Sequence, residues 1–488
     1  MSGFCLEASL LRGFPFSALA IHVRLFYYEK AMSLQTMLYE YLGRCTARAL
    51  RQEHPVVIAI TGTVGKSTTR NAIAAILNAD DPAARVRVPT KNYNNELGLP
   101  LTVFDRPAPG RSIALWLKLI FSAQFAAWGW RPTGIRTFVL EMGADKPGDL
   151  AYLTRIAPPS VSVVTAISSS EMTLTPVHRA NYPSLQALID EKSTLVRAVQ
   201  SGGTVVLNAD DPQVFSMRHL TREHVVTFGE SDGADVRILS VSPVMAEGPY
   251  GKVPQGISIS LECLNRPYTV MIPDVFSHTV GSSVAAALAV AVALDMDLTA
   301  VQRIHSLFKS LPGRARILPG SNHTVLFDGT YNASPPAVVS SIRDIAALPL
   351  LSTQRRAVCV GEMRELGDEA QAMHWRIGEE AAKSHIDFLV ACGTMARFVA
   401  DGARAHGMSD DHIHVCVDTP DAIPVLRDWM QPGDVIFCKA SEGPSPSNPH
   451  WRTVTGVRME RIIKALMAEP QRAAELLPRQ EARWLSIE

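Results

Sequence analysis

The run Ile58-Ala59-Ile60-Thr61-Gly62-Thr63-Val64-Gly65-Lys66-Ser67-Thr68-Thr69 constrains this chain more than any other stretch. An apolar strand enters a turn flanked by Gly62 and Gly65 and leaves it through Lys66, Ser67 and Thr68 at the start of a helix. Such a turn cradles phosphate. Backbone N–H groups and the positive end of the helix surround the phosphate oxygens, Lys66 adds a point charge, and Ser67 or Thr68 can ligate Mg²⁺. A simple turn with a solvated lysine would require strand, glycines and helix start to coincide by chance. ATP is the expected ligand. Only Thr63 and Val64 separate Gly62 from Gly65, a shorter loop than the common phosphate-binding pattern.

Around this loop, β-branched runs alternate with amphipathic stretches: Val56–Ile60 and a helix to Leu77, Thr137–Leu140 and Pro147–Ile156, Ser160–Ala166 and Leu185–Val199, then Thr204–Leu207. That alternation predicts an α/β fold with a mostly parallel sheet, whose ligands bind at the carboxyl ends of the strands. Residues Val225 to Pro273 alternate polar and apolar instead, which predicts an antiparallel hairpin layer on the sheet edge. An alanine-rich helix, Val280 to Leu294, follows. After Leu311-Pro312-Gly313-Arg314 a fresh alternation begins with Thr324–Asp328, Ala357–Val360, Phe388–Ala391, His414–Val417 and Val435–Cys438. The expected organisation is a helical extension over 1–54, a central ATP-binding domain over 55–312 and a C-terminal Rossmann-like α/β domain over 313–488.

Composition fits two or three globular domains: 47% hydrophobic and 19% charged residues, with Lys plus Arg equal to Asp plus Glu at 47 each. That balance gives no global field for nucleic acid or an anionic membrane. Seven scattered cysteines without a Cys-x-x-Cys pair predict reduced, packed thiols and a cytoplasmic setting. Phe14 to Val23 is too short to span a bilayer and reads as part of an amphipathic helix, with Met32 an alternative start. Ala114 to Trp130 is apolar and aromatic but interrupted by Lys118 and Gln124, so a core or surface-docked helix is expected rather than a span.

Three further segments carry chemistry. Lys91-Asn92-Tyr93-Asn94-Asn95-Glu96-Leu97-Gly98 suits a loop whose amides bind a ligand or hold backbone; taken alone it is a turn. Glu141 closes an apolar strand at the sheet edge that carries the phosphate loop, where a carboxylate can ligate a nucleotide's Mg²⁺. His178 and Lys192 stand fourteen residues apart. Spacing alone leaves both as ordinary surface or core residues.

Taken together, these motifs resemble those of the Mur ligases, ATP-dependent amide-bond ligases of bacterial cell-wall synthesis. The resemblance runs from about Val56 to Met467 and rests on the short phosphate loop, Asn92 to Pro100, Glu141-Met142-Gly143-Ala144, Leu207 to Asp211, Asp328 to Pro335 and Gly361 to Gly367 with His374. It implies that Gly62, Thr63, Gly65, Lys66, Ser67 and Thr68 hold the nucleotide, and that Ser67 and Glu141 hold a first Mg²⁺. It also implies a second Mg²⁺ near His178 and Lys192, with Lys192 carbamylated as in many members. A carbamate turns a cation into an oxygen ligand. By the same resemblance Arg314 and Asp328 grip the γ-phosphate and ribose, and Ser282 stands where relatives read adenine with asparagine. Asn92, Asn94, Asn95, Tyr331, Asn332 and Lys439 fall to the substrates. Lys66, His178, Lys192 and Arg314 are the candidate catalytic residues.

Departures are present. Gly329 replaces an acidic residue, and Ala440-Ser441-Glu442 replaces the family's Gly-Ser-Arg ahead of a Pro/Ser-rich insertion reaching Pro449. About 55 residues, read as helix, precede the loop where the family carries a larger α/β domain that holds UDP. The implied reaction joins D-alanyl-D-alanine to a UDP-muramoyl tripeptide through an acyl phosphate, in an enzyme expected to be a monomer with no nucleic-acid partner and no membrane span. Alternatives are another amide ligase of the superfamily, acting on polyglutamate or an atypical muropeptide, and a nucleotide-binding module without turnover.

Overall fold

The computed structural model describes residues 16–89, 93–167, 181–364, 366–443 and 457–486, with side chains from residue 35 onward except at 483. Asn92 and His178, and most of the Pro/Ser-rich insertion, lie outside the described residues.

Two sheets organise the molecule. The first has nine strands: β1 (Val56–Thr61), β2 (Val86–Arg87), β3 (Thr137–Glu141), β4 (Val161–Val164), β5 (Thr204–Asn208), β6 (His224–Gly229), β7 (Val236–Gly248), β8 (Gly251–Cys263) and β9 (Arg266–Pro273). Their order is β2-β3-β1-β4-β5-β6-β7-β8-β9. Pairing is parallel as far as β7, and β7–β8–β9 form an antiparallel meander. The meander expected to lie on the edge of the sheet is the edge itself, since Phe228 and Gly229 pair with Val236 and Arg237.

Side chains alternate along β1. Ile58 and Ile60 enter a core shared with helix α2 (Lys66–Asp80) and the Thr279–Ala293 helix. Val57 and Ala59 enter a second core with α1 (Phe16–Glu53), α3 (Gly98–Val103), α4 (Ile113–Ala127) and α5 (Asp149–Ile156). Helices on both faces explain why β1 is an unbroken apolar run.

The second sheet has six strands: β10 (Arg316–Pro319), β11 (Val325–Asp328), β12 (Arg356–Val360), β13 (Phe388–Cys392), β14 (Ile413–Cys416) and β15 (Val435–Lys439). The order is β10-β11-β15-β12-β13-β14, with only β10 antiparallel. Because β15 returns between β11 and β12, the crevice beyond the carboxyl ends of these strands is a topological switch point. Asp328 and Lys439 end two of the strands that border it.

The chain passes from one core to the other within two residues. Val275 is buried in the first, while Phe276 packs edge-on against Phe327 and Phe437 of the second. Antiparallel bonds from Phe276 N to Ala315 O and from Ile317 N to Asp274 O close the junction. All six described cysteines are buried free thiols, and among the described residues no helix is long and apolar enough to cross a membrane.

Candidate active site

The phosphate loop lies between β1 and α2, as its sequence requires. Gly62 has φ of 146°, and a Cβ there would stand 2.0 Å from Thr165 Oγ1 at the end of β4. Only glycine lets the loop press so closely on its neighbouring strand. Thr165 Oγ1 in turn donates to Val64 O at 2.6 Å, and Thr63 N donates to Ala166 O at 2.7 Å. The cradle is thus held from outside itself. Thr63 Oγ1 is buried without a hydrogen-bond partner in the protein, which a phosphate oxygen would satisfy.

Lys66 Nζ donates to Gly62 O at 2.7 Å, folded over the loop. Burial pulls its pKa below the usual lysine value, Glu141 pushes it up and Arg314 pushes it down again. Ser67 Oγ donates to Glu141 Oε2 at 3.1 Å, so the two oxygen groups expected at the first Mg²⁺ are together at the carboxyl end of β3. Hard oxygen donors beside a phosphate cradle fit that ion. Arg70, one helical turn beyond Lys66, lies 2.8 Å from Glu141 Oε1, and both side chains are buried. Sequence reasoning passed over Arg70, although its i+4 spacing from Lys66 puts both on one face of α2.

Lys192 sits on the Leu185–Arg197 helix and is 2% exposed. Burial lowers its pKa to about 7, with Lys66 pushing the same way and Asp145 and Glu191 opposing. A substantial fraction of neutral amine near neutral pH is what addition to CO₂ requires.

From the second lobe, the turn at Leu311 to Arg314 is clamped by Asp328, which is fully enclosed. Its Oδ2 accepts from Gly313 N at 2.9 Å, and its Oδ1 accepts from Thr330 N and Thr330 Oγ1. Desolvation raises its pKa despite those bonds. The residue expected at a ribose thus anchors the connecting turn. Gly313 has φ of 73°, and a Cβ there would meet Tyr331 N at 2.6 Å. The Arg314 guanidinium lies over the Tyr331 ring, 4.3 Å from its centroid, and its buried Nε has no hydrogen-bond partner in the protein. Its charge lowers the pKa of Lys66, Arg70 and Lys439 alike, adding to the effect of their burial. Lys439 Nζ donates to Asn332 O at 3.1 Å, and burial brings its pKa to about 8.

Other expected residues have local duties. Asn95 Oδ1 accepts from Gly98 N at 2.9 Å and starts α3, while Asn94 O accepts from Gly143 N beside the Glu141 motif. Asn332 Oδ1 accepts from Ala333 N. Thr68 is half-buried on the first turn of α2, and Ser282 is half-buried on the Thr279–Ala293 helix. Sequence reasoning also missed Arg479, whose guanidinium donates to Thr330 O at 3.0 Å and to Tyr331 O, fixing the tyrosine loop from the far end of the chain. No local signal marks such a residue.

Four buried cations thus have lowered pKa values, burial being the main cause, with the Arg314 charge adding to it at Lys66, Arg70 and Lys439 and the Lys66 charge at Lys192. A polyanion is the ligand that relieves this repulsion.

The Mur ligase middle domain family matches residues 60–253, and the Mur ligase glutamate ligase domain family matches residues 313–442. The UDP-N-acetylmuramoyl-tripeptide–D-alanyl-D-alanine ligase of Mycobacterium tuberculosis strain H37Rv is 30% identical over 414 residues, covering 79% of this chain and 70% of that protein. Its Bacillus subtilis counterpart is 24% identical over 414 residues, covering 85% and 76%. Among solved structures, MurF ligase from Thermotoga maritima in complex with ADP superposes with a TM-score of 0.61 at 21% identity, covering 83% of this chain and 80% of that one. MurF from Acinetobacter baumannii gives 0.63 at 22%, covering 82% and 77%.

Proposed function

Because the chain belongs to the Mur ligase family of ATP-dependent amide ligases, we propose that it joins D-alanyl-D-alanine to a UDP-muramoyl tripeptide. The substrate carboxylate attacks the γ-phosphoryl of ATP, giving an acyl phosphate and ADP; the amine of the dipeptide then displaces phosphate and forms the amide. Two anions must meet in the first step. Lys66 and Arg314, drawn from different lobes, supply the opposing charge, and Thr63 supplies a donor to a phosphate oxygen. Ser67 and Glu141 would hold a Mg²⁺ ion, which neutralises phosphate charge when bound. Lys192, once carbamylated, would offer oxygen to a second. The turn at 311–314 is the proposed hinge between a central unit over 55–312 and a C-terminal unit over 313–488. Closure about it would shield the acyl phosphate from water.

The observation that carries this reading is the pair of buried polar atoms without a protein partner, Thr63 Oγ1 in the phosphate loop and Arg314 Nε from the second lobe, whose charge acts on Lys66. The test follows ADP and coupled product with UDP-muramoyl tripeptides as acid and D-alanyl-D-alanine as amine. ADP release that needs both substrates, with stoichiometric amide, is expected. ADP release requiring the acid alone, or only with other amines, would replace this substrate pair with another of the superfamily. No release with any acid would leave a binding module.

A further inference from the structure

Helix α4 (Ile113–Ala127) presents an apolar face that no described residue covers. Ile113, Leu117 and Phe121 recur at every fourth position and are 76%, 48% and 54% exposed. Beyond the helix the face continues through a cluster of rings: Phe121 stacks against Phe125 at 6.2 Å and Phe125 against Trp130 at 5.7 Å, and Trp130 tilts against Trp128 at 4.9 Å. Trp130 is 69% exposed. A patch of large side chains on this scale marks a contact surface.

The charge around it is mostly of one sign, the acidic exceptions being Asp105, next to Arg106, and Glu53, which accepts from Thr133 and Gly134. Between Arg106 and Glu141 there is no Asp or Glu, whereas Arg106, Arg111, Lys118, Arg131 and Arg136 are all present and all exposed. The neighbouring helix extends the field. α1 packs alongside α4 where Tyr41 and Cys45 reach Gln124, and the residues it leaves exposed beside that contact include Arg44, Arg48 and Arg51. In a chain of zero formal net charge, this concentration is local.

We propose that the α4 face docks on the surface of an anionic lipid bilayer, lying in the plane of the headgroups. The pieces match that occupant in kind. An aliphatic and aromatic stripe enters the acyl boundary, tryptophans sit at headgroup level, and flanking arginines and a lysine meet lipid phosphates. A second copy of the chain fits poorly, because a two-fold contact through this face would set one predominantly cationic rim against another. Nucleic acid fits poorly too, since Ile113 and Leu117 offer no ring to a base and the Trp128 and Trp130 rings pack against each other. The docking needs no spanning helix and leaves the phosphate loop free. A ligase held in this way would work at the membrane surface.

The test is sedimentation of the full chain with vesicles of phosphatidylglycerol and phosphatidylethanolamine, and with vesicles of phosphatidylcholine alone. Binding to the anionic vesicles is expected, falling at least roughly tenfold in phosphatidylcholine or at about 0.5 M salt. The double variants Leu117→Gln/Phe121→Gln and Lys118→Glu/Arg131→Glu should each weaken binding by a similar factor. Turnover without vesicles should stay at the parent level, which also establishes that the variants fold. In the unmodified protein, brominated lipid should quench tryptophan emission, and Trp128→Phe/Trp130→Phe should remove the quenched part. A protein that stays in the supernatant with anionic vesicles at low salt, or variants that bind as the parent does, would overturn the proposal. So would a concentration-dependent dimer that the Leu117→Gln/Phe121→Gln variant abolishes in the absence of vesicle binding. None of these outcomes depends on which acid and amine the enzyme joins.

Discussion

At the scale of single residues, Lys192 carries the sharpest prediction. Its residue type is unremarkable in sequence; its burial is what makes it unusual, by lowering its pKa to about 7 beside Lys66. Replacing it with alanine should cut ligase turnover by roughly a hundredfold or more, with partial recovery on adding a short-chain carboxylic acid. Normal turnover in that variant would remove Lys192 from the mechanism. The same lysine predicts a stability profile. Between about 7 and the ordinary value of 10.5 the unfolded chain binds a proton that the folded chain does not. Stability therefore climbs with pH through that window, and this group's burial costs most below it. In CO₂-free buffer, Lys192→Met should be more stable than the parent at pH 7, and its melting temperature should rise less between pH 7 and 10. Equal slopes for the two proteins would contradict the assigned burial.

At the scale of elements, the phosphate loop is a strand-to-helix turn whose shape is enforced by its neighbour. The strand and helix were legible from Ile58 to Thr69, because hydrophobic pattern and turn glycines are local signals. The pressure of Thr165 on Gly62 was not, since those residues are adjacent only once β4 pairs with β1. Gly62→Ala should cost roughly 1–3 kcal/mol or more, measured by urea denaturation, because the residue must keep a φ of 146° and its Cβ must displace Thr165 Oγ1. ATP affinity should fall with it. A fully stable Gly62→Ala with normal nucleotide binding would mean that the loop relaxes freely.

At the scale of the whole molecule, the lobes meet at the junction 274–277 and again at the tip of the β7–β8 hairpin. There the buried Gln354 accepts from Lys252 N at 2.8 Å and donates to Lys252 O at 2.9 Å and Gly433 O at 2.8 Å. One side chain of the second lobe reads the backbone of the first as a strand would. Gln354→Ala leaves those backbone groups without their partner, so a loss of roughly 1–3 kcal/mol is expected. Faster proteolysis at the turn 311–314 and a raised KM for ATP should accompany it. Unchanged proteolysis would show that the junction alone fixes the lobes.

By itself the sequence determined the α/β class and the place of the phosphate loop, because both are written in short-range pattern: apolar runs, glycines at positive φ and residues starting a helix. The residues of the second lobe expected to grip the nucleotide came only through resemblance, and their arrangement only through tertiary structure. The Arg314 charge acts on Lys66, Asp328 closes on Gly313 and Arg479 secures Tyr331 across gaps in sequence that no local preference encodes. Burial was decided there as well. It separates Lys192 from the solvated lysines, and it leaves the α4 stripe, read from sequence as core or surface alike, facing solvent. The physical reason is common to all of these: charge strength and apolar exposure depend on what surrounds a side chain, and that is settled when the sheets and helices close on one another.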